Sequence, residues 1–261
     1  MAETTASATN TAEADGGTWL RRFHPSPDSP LRIACFPHAG GSASFFFPLS
    51  KALTPAAEVL AVQYPGRQDR RAEPPIDDIA VLAENVCRAL APWNDRPLAL
   101  FGHSMGAVIA FEVARRLEAQ GTGPISLLAS GRRAPSRHRA ENVHQRDDKG
   151  IVAELRALSG TDQLLLDDED VLQMILPAVR SDYRAIETYR STPGAILRCP
   201  ITLLTGDSDP RVSLDEAQAW SDHTAADFTL KSFPGGHFYL DGWPPQLVAE
   251  ISTLLSGYTA H

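Results

Sequence analysis

The sequence predicts an α/β fold: a mostly parallel central sheet flanked by helices, with a helical insertion in its second half. Two observations carry this. Short apolar runs alternate with longer segments of helical periodicity, the layout of βαβ units. The alternation then stops for about seventy residues that contain no convincing strand, too many for a structureless loop in a compact domain.

The predicted strands are Arg32 to Phe36, Val59 to Gln63, Leu98 to Phe101, Ser126 to Ser130, Ile201 to Thr205 and Phe228 to Phe233. Between them, Asp77 to Ala91 carries Ile79, Leu82, Val86 and Leu90 at helical spacing. Met105 to Leu117 is apolar around much of its surface, as a buried central helix should be, and Gly121 and Gly123 supply its stop. Pro245 to Leu255 reads as a terminal helix with Leu247, Ile251, Leu254 and Leu255 as its stripe. The insertion, residues 132–195, opens on an arginine-rich linker from Arg132 to Arg146. Helical segments follow around Ile151 to Leu158, Val171 to Val179 and Asp182 to Tyr189. Residues 1–17, rich in Ala, Thr and Glu, are expected to be a disordered tail, and residues 18–261 a single domain with the insertion as its lid.

Composition narrows the function. Hydrophobic residues make up 43% and charged residues 21% of the 261, enough to bury a sizeable core. A net charge of -8 argues against a nucleic-acid or anionic-membrane partner. Cys35, Cys87 and Cys199 are widely spaced and sit in or beside apolar runs, which fits buried thiols in a reducing cytoplasm. No secretory signal and no transmembrane run is expected. Neither is a metal or cofactor: no His or Cys pair has ligand spacing, and Asp167, Asp168, Glu169 and Asp170 read as a solvated helix start.

The chemistry centres on Gly102-His103-Ser104-Met105-Gly106, a G-x-S-x-G between a strand and a helix. At such an elbow the turn is so tight that the nucleophile takes a strained backbone, and the glycines two residues either side avoid a clash. This is the nucleophile elbow of the α/β-hydrolase fold, with Ser104 as nucleophile. A serine needs a base. His237, in Pro234-Gly235-Gly236-His237-Phe238 just after the last strand, fits better than His138 and His144 in the linker, His223, His24 or the terminal His261. In this fold the acid lies between the two in sequence. The loop Gly206-Asp207-Ser208-Asp209-Pro210 offers two carboxylates. Asp209, further into the turn and followed by a proline, is preferred as the acid, while Asp207 is expected to cap the loop. An oxyanion hole needs two backbone N–H donors: Met105, after the nucleophile, and Ala39, in the Pro37-His38-Ala39-Gly40-Gly41-Ser42 loop. His38 is expected to shape that loop. An aspartate nucleophile, as in dehalogenases and epoxide hydrolases, does not fit Ser104.

These segments resemble the type II, or editing, thioesterases of polyketide synthase and nonribosomal peptide synthetase pathways. The resemblance rests on Phe36-Pro37-His38-Ala39-Gly40-Gly41-Ser42, Gln63-Tyr64-Pro65-Gly66-Arg67, Phe101 to Ala107, the two carboxylate and histidine loops, and Leu176 to Tyr183 with Glu187-Thr188-Tyr189 in the insertion. Ser181 departs from the alanine usual in that family. The resemblance implies Ser104, Asp209 and His237 as triad, with Ala39 and Met105 as oxyanion donors. It implies hydrolysis of stalled acyl groups from the phosphopantetheine arm of acyl or peptidyl carrier domains, through an acyl-enzyme. The insertion would act as a lid whose Leu155, Leu158, Met174, Ile175, Leu176 and Val179 are candidates to line an acyl chamber. Arg132, Arg133, Arg137 and Arg139 are candidates to meet the carrier. A general carboxylesterase or lipase acting on small oxoesters stays open as the alternative, and a catalytically silent carrier-binding protein is a more distant one.

Overall fold

The computed structural model describes residues 18–158 and 165–258; the expected tail, residues 1–17, lies outside them. Strands β1 (Leu20–Arg21), β2 (Arg32–Phe36), β3 (Glu58–Val62), β4 (Leu98–His103), β5 (Ser126–Ser130), β6 (Ile201–Gly206) and β7 (Phe228–Phe233) form one seven-stranded sheet in the order β1-β3-β2-β4-β5-β6-β7. Every pair is parallel except the two-residue β1, which runs antiparallel to β3 at the edge. The helices are α1 (Phe47–Leu53), α2 (Ile79–Leu90), α3 (Met105–Ala119), α4 (Asp148–Leu158), α5 (Glu169–Thr188), α6 (Leu214–Gln218) and α7 (Pro245–Ser256).

Side chains alternate across a strand, so each central strand feeds two cores. Ala34, Phe36, Leu98, Leu100, Leu127 and Leu203 pack with α2 and α3 on one face. Ile33, Cys35, Ala99, Phe101, Leu128 and Leu204 pack with α1 and α7 on the other. This explains why β2 to β5 are buried throughout and read as continuous apolar runs. Helix α2 starts where Asp78 accepts the Val81 N–H at 2.9 Å, and α3 ends before Gly121, whose φ of 79° reverses the chain.

The insertion has a core of its own, in which Val143, Ile151, Val152, Leu155, Leu166, Leu176 and Val179 meet. The two helices expected around Val171 to Val179 and Asp182 to Tyr189 are one continuous α5, despite Pro177 within it. Proline removes one intrahelical hydrogen bond, but the stripe of Leu176, Val179 and Ile186 stays in phase across it and keeps the helix docked. The acidic run does start this helix: Asp168 caps it, accepting from Asp170 and Val171 N–H. Sequence reasoning did not place β1, α1 or α6. The last had a signal, the capping box of Ser213 and Glu216. No helix among the described residues is long and apolar enough to cross a membrane.

Helix α7 is held to the sheet mainly by Leu247, Ile251 and Leu255. Ile251→Ala empties a fully buried site and is expected to lower stability by about 2–5 kcal/mol. Urea unfolding should show this as a lower midpoint at unchanged slope.

Candidate active site

Ser104 sits between β4 and α3 with φ 54° and ψ -117°, a conformation costly for a residue with a Cβ. The flanking glycines make it possible: a Cβ on Gly102 would stand 2.2 Å from Gly106 O, and one on Gly106 would stand 2.1 Å from Phe36 O. Ser104 N–H donates to Ser130 O at 2.8 Å, tying the elbow to β5.

His237, on the loop after β7, lies between Ser104 and Asp209. Its Nε2 is 3.1 Å from Ser104 Oγ, and its Nδ1 is 2.9 and 3.1 Å from the carboxylate oxygens of Asp209. A carboxylate accepts only, so Nδ1 carries the proton and Nε2 is left to accept from the serine hydroxyl. Asp209 and His237 are both buried, and Asp209 is further held by the Arg211 N–H at 2.8 Å. The other carboxylate of this loop, Asp207, is exposed and accepts from Gly235 N–H at 3.1 Å and Ser208 Oγ at 2.8 Å, so it ties one loop to the next. The bond from Gly235 holds its carboxyl below the usual range.

Two further histidines pack beside His237. His38 is stacked edge-on against Phe45 and Phe238, with His103 beyond it. Burial pushes His38 down to about 3, helped by the nearby charges of His237 and Arg67. Burial also holds His103 well below its ordinary value; its Nδ1 pairs with Ser130 Oγ at 2.9 Å, and that hydroxyl with Tyr239 OH at 2.7 Å. Both rings are therefore neutral near pH 7 and leave His237 as the imidazole able to take a proton. Among the competitors, His144 pairs with Glu187, His223 bonds to Ala195 O and Ser136 Oγ, and His138 is exposed; His261 lies outside the described residues.

Ser104, His237, Ala39 and Met105 open on one cavity of about 50 Å³, roofed by the insertion through Val143, Leu155, Leu158, Tyr183 and Ile186. The N–H groups of Ala39 and Met105 have no acceptor among the described residues. Of the six apolar residues expected to line a chamber, Leu155 and Leu158 do so. Leu176 and Val179 are spent on the insertion's core, while Met174 and Ile175 border a separate groove beside Arg67 and Gln68. The arginine cluster is also divided. Arg133 is bound by Glu141 and Arg139 by Glu216; Arg132 turns into the cavity, and Arg137 is exposed with no ion pair among the described residues. Burial pushes Arg132 down to about 9.

A serine, histidine and carboxylate bonded in series at the C-terminal edge of a mostly parallel sheet define a serine hydrolase of the α/β-hydrolase fold. Comparison with known proteins narrows this class. The Thioesterase domain family matches residues 31–255, and the chain belongs to it. It is 53% identical over 249 residues to a probable cadicidin biosynthesis thioesterase of Streptomyces griseus, covering 95% of this chain and 69% of that one. Thioesterase PikA5 of Streptomyces venezuelae is 53% identical over 240 residues, covering 91% and 85% of the two chains. Among solved structures, the type II thioesterase BorB from the borrelidin biosynthetic cluster superposes with a TM-score of 0.86 at 51% identity, over 91% of this chain and 98% of that one. The protein is thus a hydrolase that acts on thioesters.

The neutral histidines have a consequence for stability. A group whose folded pKa lies below its unfolded value stabilises above the unfolded pKa, and that contribution is lost as pH falls toward the folded one. Between pH 6.5 and about 3, His38 should contribute a slope of about 1.4 kcal/mol per pH unit. Urea unfolding across that window should give His38→Gln a shallower slope than wild type by that increment.

Proposed function

We propose that this protein is an editing thioesterase that removes stalled or aberrant acyl groups from the phosphopantetheine arm of acyl or peptidyl carrier domains. The observation that carries the reading is His237 bonded to both Ser104 and Asp209 on the floor of a closed-over cavity. His237 Nε2 takes the proton of Ser104 as Oγ attacks the thioester carbonyl. The oxyanion forms against Ala39 and Met105 N–H, and Asp209 steadies the imidazolium. The C–S bond breaks, the imidazolium protonates the departing thiolate, and the acyl group remains on Ser104. Water, deprotonated by His237, then attacks the acyl-enzyme; the proton returns to Ser104 and the acid leaves.

In this reading the insertion, residues 132–195, is the lid. A cavity of about 50 Å³ holds only a few waters, so a short acyl group fits it as it stands and a long chain needs the insertion to shift. The three unpaired, buried cysteines support a cytoplasmic setting, where carrier domains are loaded.

Release of acetyl, propionyl and octanoyl groups from a loaded carrier domain tests this, with p-nitrophenyl esters run in parallel. Faster release from the carrier than from the esters, with short chains leading, is expected. Rapid ester cleavage without carrier turnover would replace the editing role by a general esterase. In the same assay Ser104→Ala should lose about 10⁶-fold in kcat and Asp209→Asn about 10⁴-fold. Asp207→Asn should stay within about 10-fold, because its bonds tie loops together and do not reach the base. An Asp207 variant as damaged as the Asp209 one would reassign the acid.

A further inference from the structure

Gln63-Tyr64-Pro65-Gly66-Arg67 takes no part in the chemistry above, yet all three of its polar side chains reach the loop after β2 that carries Ala39. Gln63 Oε1 accepts the Ala43 N–H at 2.8 Å, Tyr64 OH donates to Pro37 O at 3.4 Å, and Arg67 Nη1 donates to Gly41 O at 3.1 Å. Arg67 also grips Asp182 of α5 with both terminal nitrogens, at 2.7 and 2.9 Å. Asp182 Oδ2 in turn accepts the N–H of Gly40 at 2.8 Å.

This pair is buried: Asp182 is 0% exposed and Arg67 8%. Two peptide groups of the loop are therefore pinned, Ala39–Gly40 by Asp182 through Gly40 N–H and Gly41–Ser42 by Arg67 through Gly41 O. Gly40 has φ 77°, and a Cβ there would stand 3.0 Å from Val179 Cγ2, so α5 also presses on the loop directly. Gly40 follows Ala39, so both contacts from α5 bear on the residue next to the oxyanion donor. A charged, doubly bonded carboxylate in a dry site holds a backbone N–H more firmly than a neutral acceptor does.

We propose that Asp182 is a positioning residue for the reaction: from the insertion helix it holds, through Gly40 N–H and Arg67, the loop that carries the Ala39 oxyanion donor. The oxyanion site is then complete only while α5 is seated, which couples the insertion to the chemical step. This rests on the proposed reading of Ser104 as the nucleophile, with Ala39 and Met105 as its oxyanion donors.

The test uses the full chain. Steady-state kinetics on a propionyl N-acetylcysteamine thioester are combined with the inhibition constant of a trifluoromethyl ketone analogue, which forms an anionic hemiketal on Ser104 and so reports the oxyanion site. Asp182→Asn keeps the shape and one acceptor. Asp182→Ala strands Arg67 without a counter-charge, so loss of folding would mask its effect. Arg67→Met/Asp182→Leu removes both charges together and avoids this. Ile151→Ala, in the insertion's core but away from the loop, controls for general loosening.

Complete loss of an oxyanion donor lowers kcat by about 10²–10³-fold. The double variant is expected to approach that loss and Asp182→Asn to show about a tenth of it, with KM within about 3-fold and analogue binding weakened in step with kcat. Ile151→Ala should change neither kcat nor analogue binding by more than about 3-fold. Folded variants that keep kcat and analogue affinity would overturn the proposal, as would a kcat loss with analogue binding intact. If Ser104→Ala stays active, the underlying reading fails. If Ser104→Ala is dead while the Asp182 variants are unimpaired, only the positioning role fails.

Discussion

The site depends on one close approach, that of the first turn of α3 to the end of β2. Gly106 lies where any side chain would collide with Phe36 O, and Gly102 where it would collide with Gly106 O. Because these backbones touch, the N-terminus of α3 and the loop leaving Phe36 stand side by side, and Met105 N–H and Ala39 N–H can face one cavity. The strain at Ser104, of order 1–3 kcal/mol, is held by β4 and β5 on either side and by the bond from Ser104 N–H to Ser130 O. Fully buried strands make such a frame stiff enough to hold a backbone in a poorly populated conformation.

Around that frame the electrostatics separate three neighbouring imidazoles. His38, His103 and His237 lie within one aromatic cluster, where three equal bases would disturb one another's protonation. Only His237 has a carboxylate on its Nδ1, while burial keeps the other two neutral. Neutral rings beside a developing imidazolium add no repulsion, and their packing keeps water from the far side of His237.

The insertion relates to this frame differently. It has a separate small core and reaches the hydrolase body partly through charged pairs, among them Arg67 with Asp182 and Arg211 with Glu141 and Glu154. Ala185 and Ile186 of α5 also join the core beside α3, so the insertion is seated by apolar packing as well as by buried charge.

Much of this was legible in the sequence. Each core strand of this sheet is a short apolar run, because both its faces are covered, and the elbow, its glycines and the order of Ser104, Asp209 and His237 are local patterns. The two-residue β1 and short α1 were not legible, because so few residues carry no period. The sequence pattern reads α5 as two segments, Val171 to Val179 and Asp182 to Tyr189; in the structure, packing of Leu176, Val179 and Ile186 holds them in one helix, and outweighs the hydrogen bond that Pro177 removes. The linker arginines looked like a free cluster, since nothing local reveals that Glu141 and Glu216 fold back to meet Arg133 and Arg139. By itself, then, the sequence determined the hydrolase frame and the identities of its candidate catalytic residues, which local sterics and strand burial dictate. Only the tertiary structure decided which carboxylate meets His237, how small the cavity is, and that Asp182 lies against Gly40. Those depend on contacts between segments 28 to 142 residues apart, which no local pattern encodes.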